Sequence, residues 1–158
     1  MRFTIIAISL ALALTGTSAF GGDLPDAKLT PGAIRTEATK DNLCPIAHTP
    51  GLRNVTSTEK NQVYAEYGIK PHQGFCAVAE GCEVDHLISL EIGGSNDVTN
   101  LWPQQYSGTV WNAHVKDKLE NKLHALVCAG TITLADAQTE IRTNWIAAYQ
   151  KHIGVSPN

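Results

Sequence analysis

The chain has 158 residues, enough for one domain built on a single core. Lysine and arginine number 12 against 15 aspartate and glutamate, for a formal net charge of −3. That balance excludes a global basic field of the kind that holds nucleic acid without regard to sequence, so any grip on phosphate must be local or carried by a metal.

The N-terminus begins with Arg2, an apolar segment from Ile5 to Leu14, and small residues from Thr15 to Ala19. These are the parts of a secretory signal, with cleavage expected after Ala19. The apolar segment is short for a membrane span, and the sequence has no second one. The expectation is an exported chain, periplasmic or secreted, with no membrane contact once the leader is gone. All four cysteines, Cys44, Cys76, Cys82 and Cys128, lie beyond the leader. An even number in an exported chain reads as two disulfides, for which three pairings exist. The spacing of Cys76 and Cys82 is a poor match to zinc ligation. The favoured pairing is Cys76–Cys82 as a local clip and Cys44–Cys128 as a long tie.

Residues 20–55 are rich in glycine, proline and polar groups and read as an extended lead-in with loops. Thr36 to Lys40 could form one helical turn at most, and the stretch around His48 is loop. Thr56 paired with Glu59 has the form of a capping box and opens a short helix that Gly68 ends. Its apolar face carries Val63, Tyr64 and Tyr67. A strand is predicted over 83–90, with Val84, His86, Ile88 and Leu90 on one face and Asp85 and Leu87 on the other. The run breaks at Gly93-Gly94 and resumes as a second short strand at Asn100-Leu101-Trp102.

A helix is predicted from Trp111 to Val127, closed by Gly130. Trp111, Val115, Leu119, Leu123 and Leu126 form its apolar sector. Asn112, Lys116 and Glu120 border that sector, and His114, Asp117 and Asn121 lie opposite. Thr133 caps a final helix to His152, with Ile141, Trp145, Ile146 and Tyr149 as its apolar stripe. Trp102 and Trp145 read as core. His48, His72, His124 and His152 read as structural or surface residues.

The order Asp85-His86, Gly93-Gly94, Asn100-Leu101 and then a helix resembles the HNH nucleases, the ββα-metal or His-Me finger group. The resemblance covers residues 83–125. It implies an α+β fold: a ββα-metal core with flanking helices, stapled by disulfides, in a domain spanning 56–158. It also implies an exported, metal-dependent endonuclease that hydrolyses phosphodiester bonds of DNA or RNA. His86 would be the general base, since imidazole titrates near working pH. Asp85 would bind the metal, and Asn100 would brace the turn that holds His86.

The helix would add a third ligand, Asn112 or His114; the helical wheel favours Asn112 because it borders the apolar face. Carboxylate and amide oxygens suit Mg²⁺ or Mn²⁺, whereas His114 as ligand would bring in Zn²⁺ or Ni²⁺. Lys116 and Lys118 are candidate phosphate contacts, or else partners for Glu120 and Asp117. Taken singly, His86 is as easily a buried core histidine, Asp85 a strand-edge acid and Asn100 a turn cap; their joint order favours a site. The alternative is a noncatalytic exported module that keeps the scaffold and binds a protein or a metal, a reading that the acidic charge favours.

Overall fold

The computed structural model describes residues 22–45 and 51–157; the leader at 1–19 and His48 lie outside them. The first helix, α1 (Lys40–Leu43), is a single turn capped by Thr39, which places it later than the turn predicted at 36–40. Helix α2 (Ser57–Glu66) opens on the Thr56–Glu59 capping box that the sequence predicts. Strands β1 (Cys82–His86) and β2 (Leu101–Gln105) pair antiparallel, with Asp85 opposite Trp102 and His86 opposite Leu101. Helices α3 (Ala113–Cys128) and α4 (Leu134–His152) follow. The architecture is α+β with a two-stranded sheet.

The strand predicted over 83–90 stops at His86. Its ladder ends because a side chain replaces the next strand partner. Asn100 Oδ1 accepts from the Ile88 amide at 2.9 Å, and Asn100 Nδ2 donates to the Ile88 carbonyl at 3.0 Å. Both backbone groups of Ile88 are thereby satisfied without a ladder. The chain then makes a short 3₁₀ turn over Leu90–Ile92 and passes Gly93 in the left-handed region at φ 85. A Cβ on Gly94 would lie 1.8 Å from the Ile88 carbonyl oxygen, so only glycine fits there.

Two apolar clusters hold this connection from both sides. Ile88 and Ile92 pack with Val115, Leu119, Ile141 and Trp145 between α3 and α4. Leu87 packs with Val63, Tyr67, Val84 and Trp102 between α2 and the ribbon. Neighbours Leu87 and Ile88 therefore anchor in different clusters, and Asp85-His86 is fixed just ahead of the crossing. Trp102 and Trp145 are core, as predicted.

The described part of the lead-in is tied to the connection as well. Ala33 O accepts from Ser95 N, Gly93 O accepts from Arg35 N, and Thr99 O accepts from Gly32 N. Helix α3 begins two residues later than the predicted Trp111, because Asn112 is spent as its cap. Trp111 instead packs edge-on against Trp145 and Tyr149. Helix α4 has its predicted Thr133 cap but bends at Asn144 (φ −166, ψ 98), whose side chain recaps the second half through Ala147 N. The disulfides are Cys44–Cys128 and Cys76–Cys82, the favoured pairing. Two such bonds suit an oxidising compartment. No helix among the described residues is long and apolar enough to cross a membrane.

Candidate functional site

The end of β1, the first turns of α3 and the loop carrying Arg53 enclose a cleft of about 450 Å³. Arg53, His86, Tyr106 and His114 line it together with four carboxylates, Glu83, Asp85, Asp117 and Glu120. Arg53, His114 and Asp117 are exposed, whereas Asp85 and His86 are buried.

The bonds around His86 fix its tautomer. Asn96 Nδ2 donates to Leu52 O at 2.9 Å, which turns Asn96 Oδ1 toward the ring. That oxygen lies 3.0 Å from His86 Nε2 and also accepts from Asn54 N, so Nε2 must carry the hydrogen. The other nitrogen, Nδ1, is 3.2 Å from Arg53 Nη1. A guanidinium only donates, so Nδ1 holds its lone pair toward the cleft. Arg53 Nη2 also donates to Val84 O at 2.5 Å. Burial lowers the His86 pKa to about 4; Asp85 and Asn96 oppose this, and Arg53 and Lys116 add to it. His86 is a neutral imidazole at working pH.

Beside it, Lys116 is fully buried. Its ammonium donates to Asp85 Oδ2 at 2.7 Å, to the His86 carbonyl at 2.6 Å and to Glu120. Three donors meet three acceptors, so the group is fully satisfied. Burial acts to lower the Lys116 pKa, but the carboxylates of Asp85 and Glu120 outweigh it and the net shift is upward. Burial raises Glu120 to about 7 against the pull of Lys116. Glu83 is also raised to about 7, by burial and then by Asp85, while accepting from Tyr106 Oη at 3.0 Å. Burial raises Asp117, and Asp85 adds to the shift.

The residues singled out from the sequence are thus brought together unequally. Asp85, His86 and His114 line the cleft. Asn100 is fully buried behind it and joins Ile88 to Ser95, donating to Ser95 O at 2.9 Å. Asn112 caps α3: its Oδ1 accepts from Val115 N and its Nδ2 donates to Thr109 O, so both ends of the amide are used in the cap. His114 stands 5.6 Å from the Tyr106 ring, centroid to centroid. Lys118 is exposed on α3. Lys116 corrects the expectation of a phosphate contact: it is buried and takes the carboxylate partnership instead, with Glu120 and with Asp85. Arg53 and Asn96 carry no motif signal; Asn96 sits in the polar turn after Gly93-Gly94, and Arg53 in a loop far upstream.

Asp85 Oδ2 holds the Lys116 ammonium and the Asn112 amide is engaged in its cap, whereas His114, the other helix candidate, lines the same cleft as Asp85. Among the described residues, one group of three His, Cys, Asp or Glu donors lies within 4.8 Å of one another: Cys44, His124 and Cys128. It could hold a metal ion, but its two sulfurs are joined in a disulfide, so thiolate ligation requires reduction. Comparison with family models, curated proteins and solved structures finds no match to this chain.

Proposed function

We propose that the chain is an exported nuclease of the HNH kind, in which β1, β2 and α3 form the ββα unit and His86 is the general base. The observation that carries this reading is the Asn96 bond to His86 Nε2, which leaves the Nδ1 lone pair facing the cleft. Arg53 is the exposed cation beside that lone pair. A phosphodiester entering the cleft draws the guanidinium onto its oxygens, since planar guanidinium groups pair well with phosphate. Nδ1 is then free to take a proton from the water that attacks phosphorus. The phosphorus–oxygen bond to the leaving sugar breaks, and that oxygen takes its proton from solvent. Lys116 keeps the His86 carbonyl and Asp85 in place beneath the imidazole. The leader-like N-terminus and the two disulfides support export.

A noncatalytic module is the second reading, favoured by the Arg53 guanidinium covering Nδ1 and the ammonium occupying Asp85. The test uses chain 20–158 with its disulfides intact, given plasmid DNA or RNA, with and without Mg²⁺, Mn²⁺ and chelator. The nuclease reading expects cleavage that falls at least about 100-fold in His86→Ala, the scale of a lost general base. Cleavage that is equal in the variant, or missing with both substrates, leaves the binding module.

A further inference from the structure

We propose that the Lys116 ammonium is the resident cation of this site and fills the position between Asp85, Glu120 and the His86 carbonyl that a divalent ion would otherwise take. The acceptors are the kind that hard cations choose: two carboxylates and a backbone carbonyl. They converge on one point, and that point is the Nζ of a fully buried lysine. An ammonium has three donors, and each acceptor takes one. Asp85 Oδ2, the His86 carbonyl oxygen and Glu120 Oε1 are each taken by the ammonium, so an ion at their meeting point would have to displace the lysine, and displacement would strand a charged group in the core. The acceptors come from two elements, Asp85 and the His86 carbonyl from β1 and Glu120 from α3, so the lysine does the cross-linking that a bound ion would do.

Two consequences separate this arrangement from an ion site. Divalent ions leave the intact protein's Asp85–Glu120 position unchanged. Shortening the lysine uncovers a three-oxygen site for a hard cation, with water completing the shell. The inference concerns cation occupancy only, so it stands or falls independently of nucleic-acid cleavage.

The experiment has two arms. In the intact protein, backbone and carboxyl NMR shifts of Asp85, His86 and Glu120 are followed as Mg²⁺ is added in excess. No movement is expected; saturable movement of these three residues overturns the proposal. In Lys116→Ala, Mn²⁺ affinity is measured by calorimetry beside the intact protein. A gain of tenfold or more is expected, and a folded variant with unchanged affinity overturns the proposal. If that variant fails to fold, the Mg²⁺ titration of the intact protein decides alone.

Discussion

Arg53 Nη1 lies 3.2 Å from Nδ1 of His86, so a cation exposed to solvent touches the one imidazole nitrogen that holds a lone pair. This pairing works only with a neutral ring, and it sets a pH dependence whose sign can be worked out. The folded-state pKa of His86 is about 4, below the ordinary 6.5. The unfolded chain therefore binds more protons between those values, and stability falls as pH drops through that window. The His86 contribution is complete above 6.5, is lost progressively down to about 4 and amounts to at most about 3 kcal/mol. Imidazole ¹⁵N shifts should show the Nε2–H tautomer at pH 6 and titration close to pH 4. Glu83 and Glu120 act in the opposite sense, since both are raised to about 7 and their contributions are lost as pH rises toward that value. The His86 share is isolated by subtracting the pH profile of His86→Gln.

Arg53→Ala removes both the lid over Nδ1 and the phosphate contact of the proposed mechanism. The His86 pKa should rise, because Arg53 is one of the charges that lowers it. Nucleic-acid affinity should fall about tenfold or more, the scale of one charge-assisted hydrogen bond. NMR titration reads the first effect and a binding isotherm at fixed salt reads the second. Retained affinity together with a raised pKa would assign Arg53 to the imidazole alone.

Asn100→Ala should be among the most destabilising single changes in the chain. It strips partners from Ile88 N, Ile88 O and Ser95 O, all within a fully buried environment. A loss of about 3 kcal/mol or more is expected from stranded buried polar groups. Chemical denaturation checks it. Asn100→Asp should not rescue, because it keeps the acceptor and loses both donations from Nδ2.

Much of this could be read from local pattern. The Thr56–Glu59 box, the Thr133 cap and the ribbon interrupted at Gly93-Gly94 are short-range features whose chemistry lies within a few residues. The helical wheel places Asn112, Lys116 and Glu120 on the stripe beside the apolar sector, and Lys116 does reach the ribbon from there, with Glu120 as its partner on the same helix. A wheel gives direction but not what waits at the far side. It could not tell that Asn112 would be spent as a cap, or that the lysine would be the group that meets Asp85. Strand alternation overran His86 because a side-chain amide, not a turn residue, ends the ladder. Arg53 was beyond reach, since its contact with His86 spans 33 residues and depends on the whole fold.

Lys116→Met tests the energetics of the buried cation. It removes one charge and leaves Asp85 and Glu120 facing each other across the vacated position. Removing one partner of a buried ion pair typically costs about 3–5 kcal/mol. The loss should shrink on acidification, because Glu120, raised to about 7 even beside the lysine, can take a proton and relieve the repulsion. Denaturation midpoints of the variant and the intact protein should therefore converge between pH 8 and pH 5. A pH-independent gap would mean that the lysine acts through packing of its stem rather than through its charge.

The two disulfides should differ in what their removal costs. Cys44–Cys128 closes 84 residues and joins the segment after α1 to the end of α3. Cys76–Cys82 closes 6 residues just ahead of β1. Loop entropy in the unfolded chain assigns about 4–5 kcal/mol to the long tie and about 2 kcal/mol to the short clip. Paired alanine replacements, compared by urea denaturation, should show that ordering. The short clip has a second, local effect: it fixes the start of β1, three residues before Asp85. Its loss should therefore broaden the Asp85 and His86 resonances while global stability falls only modestly, whereas loss of the long tie should lower stability and leave those resonances sharp at low temperature. The reverse pattern would place the control of the site in the long tie.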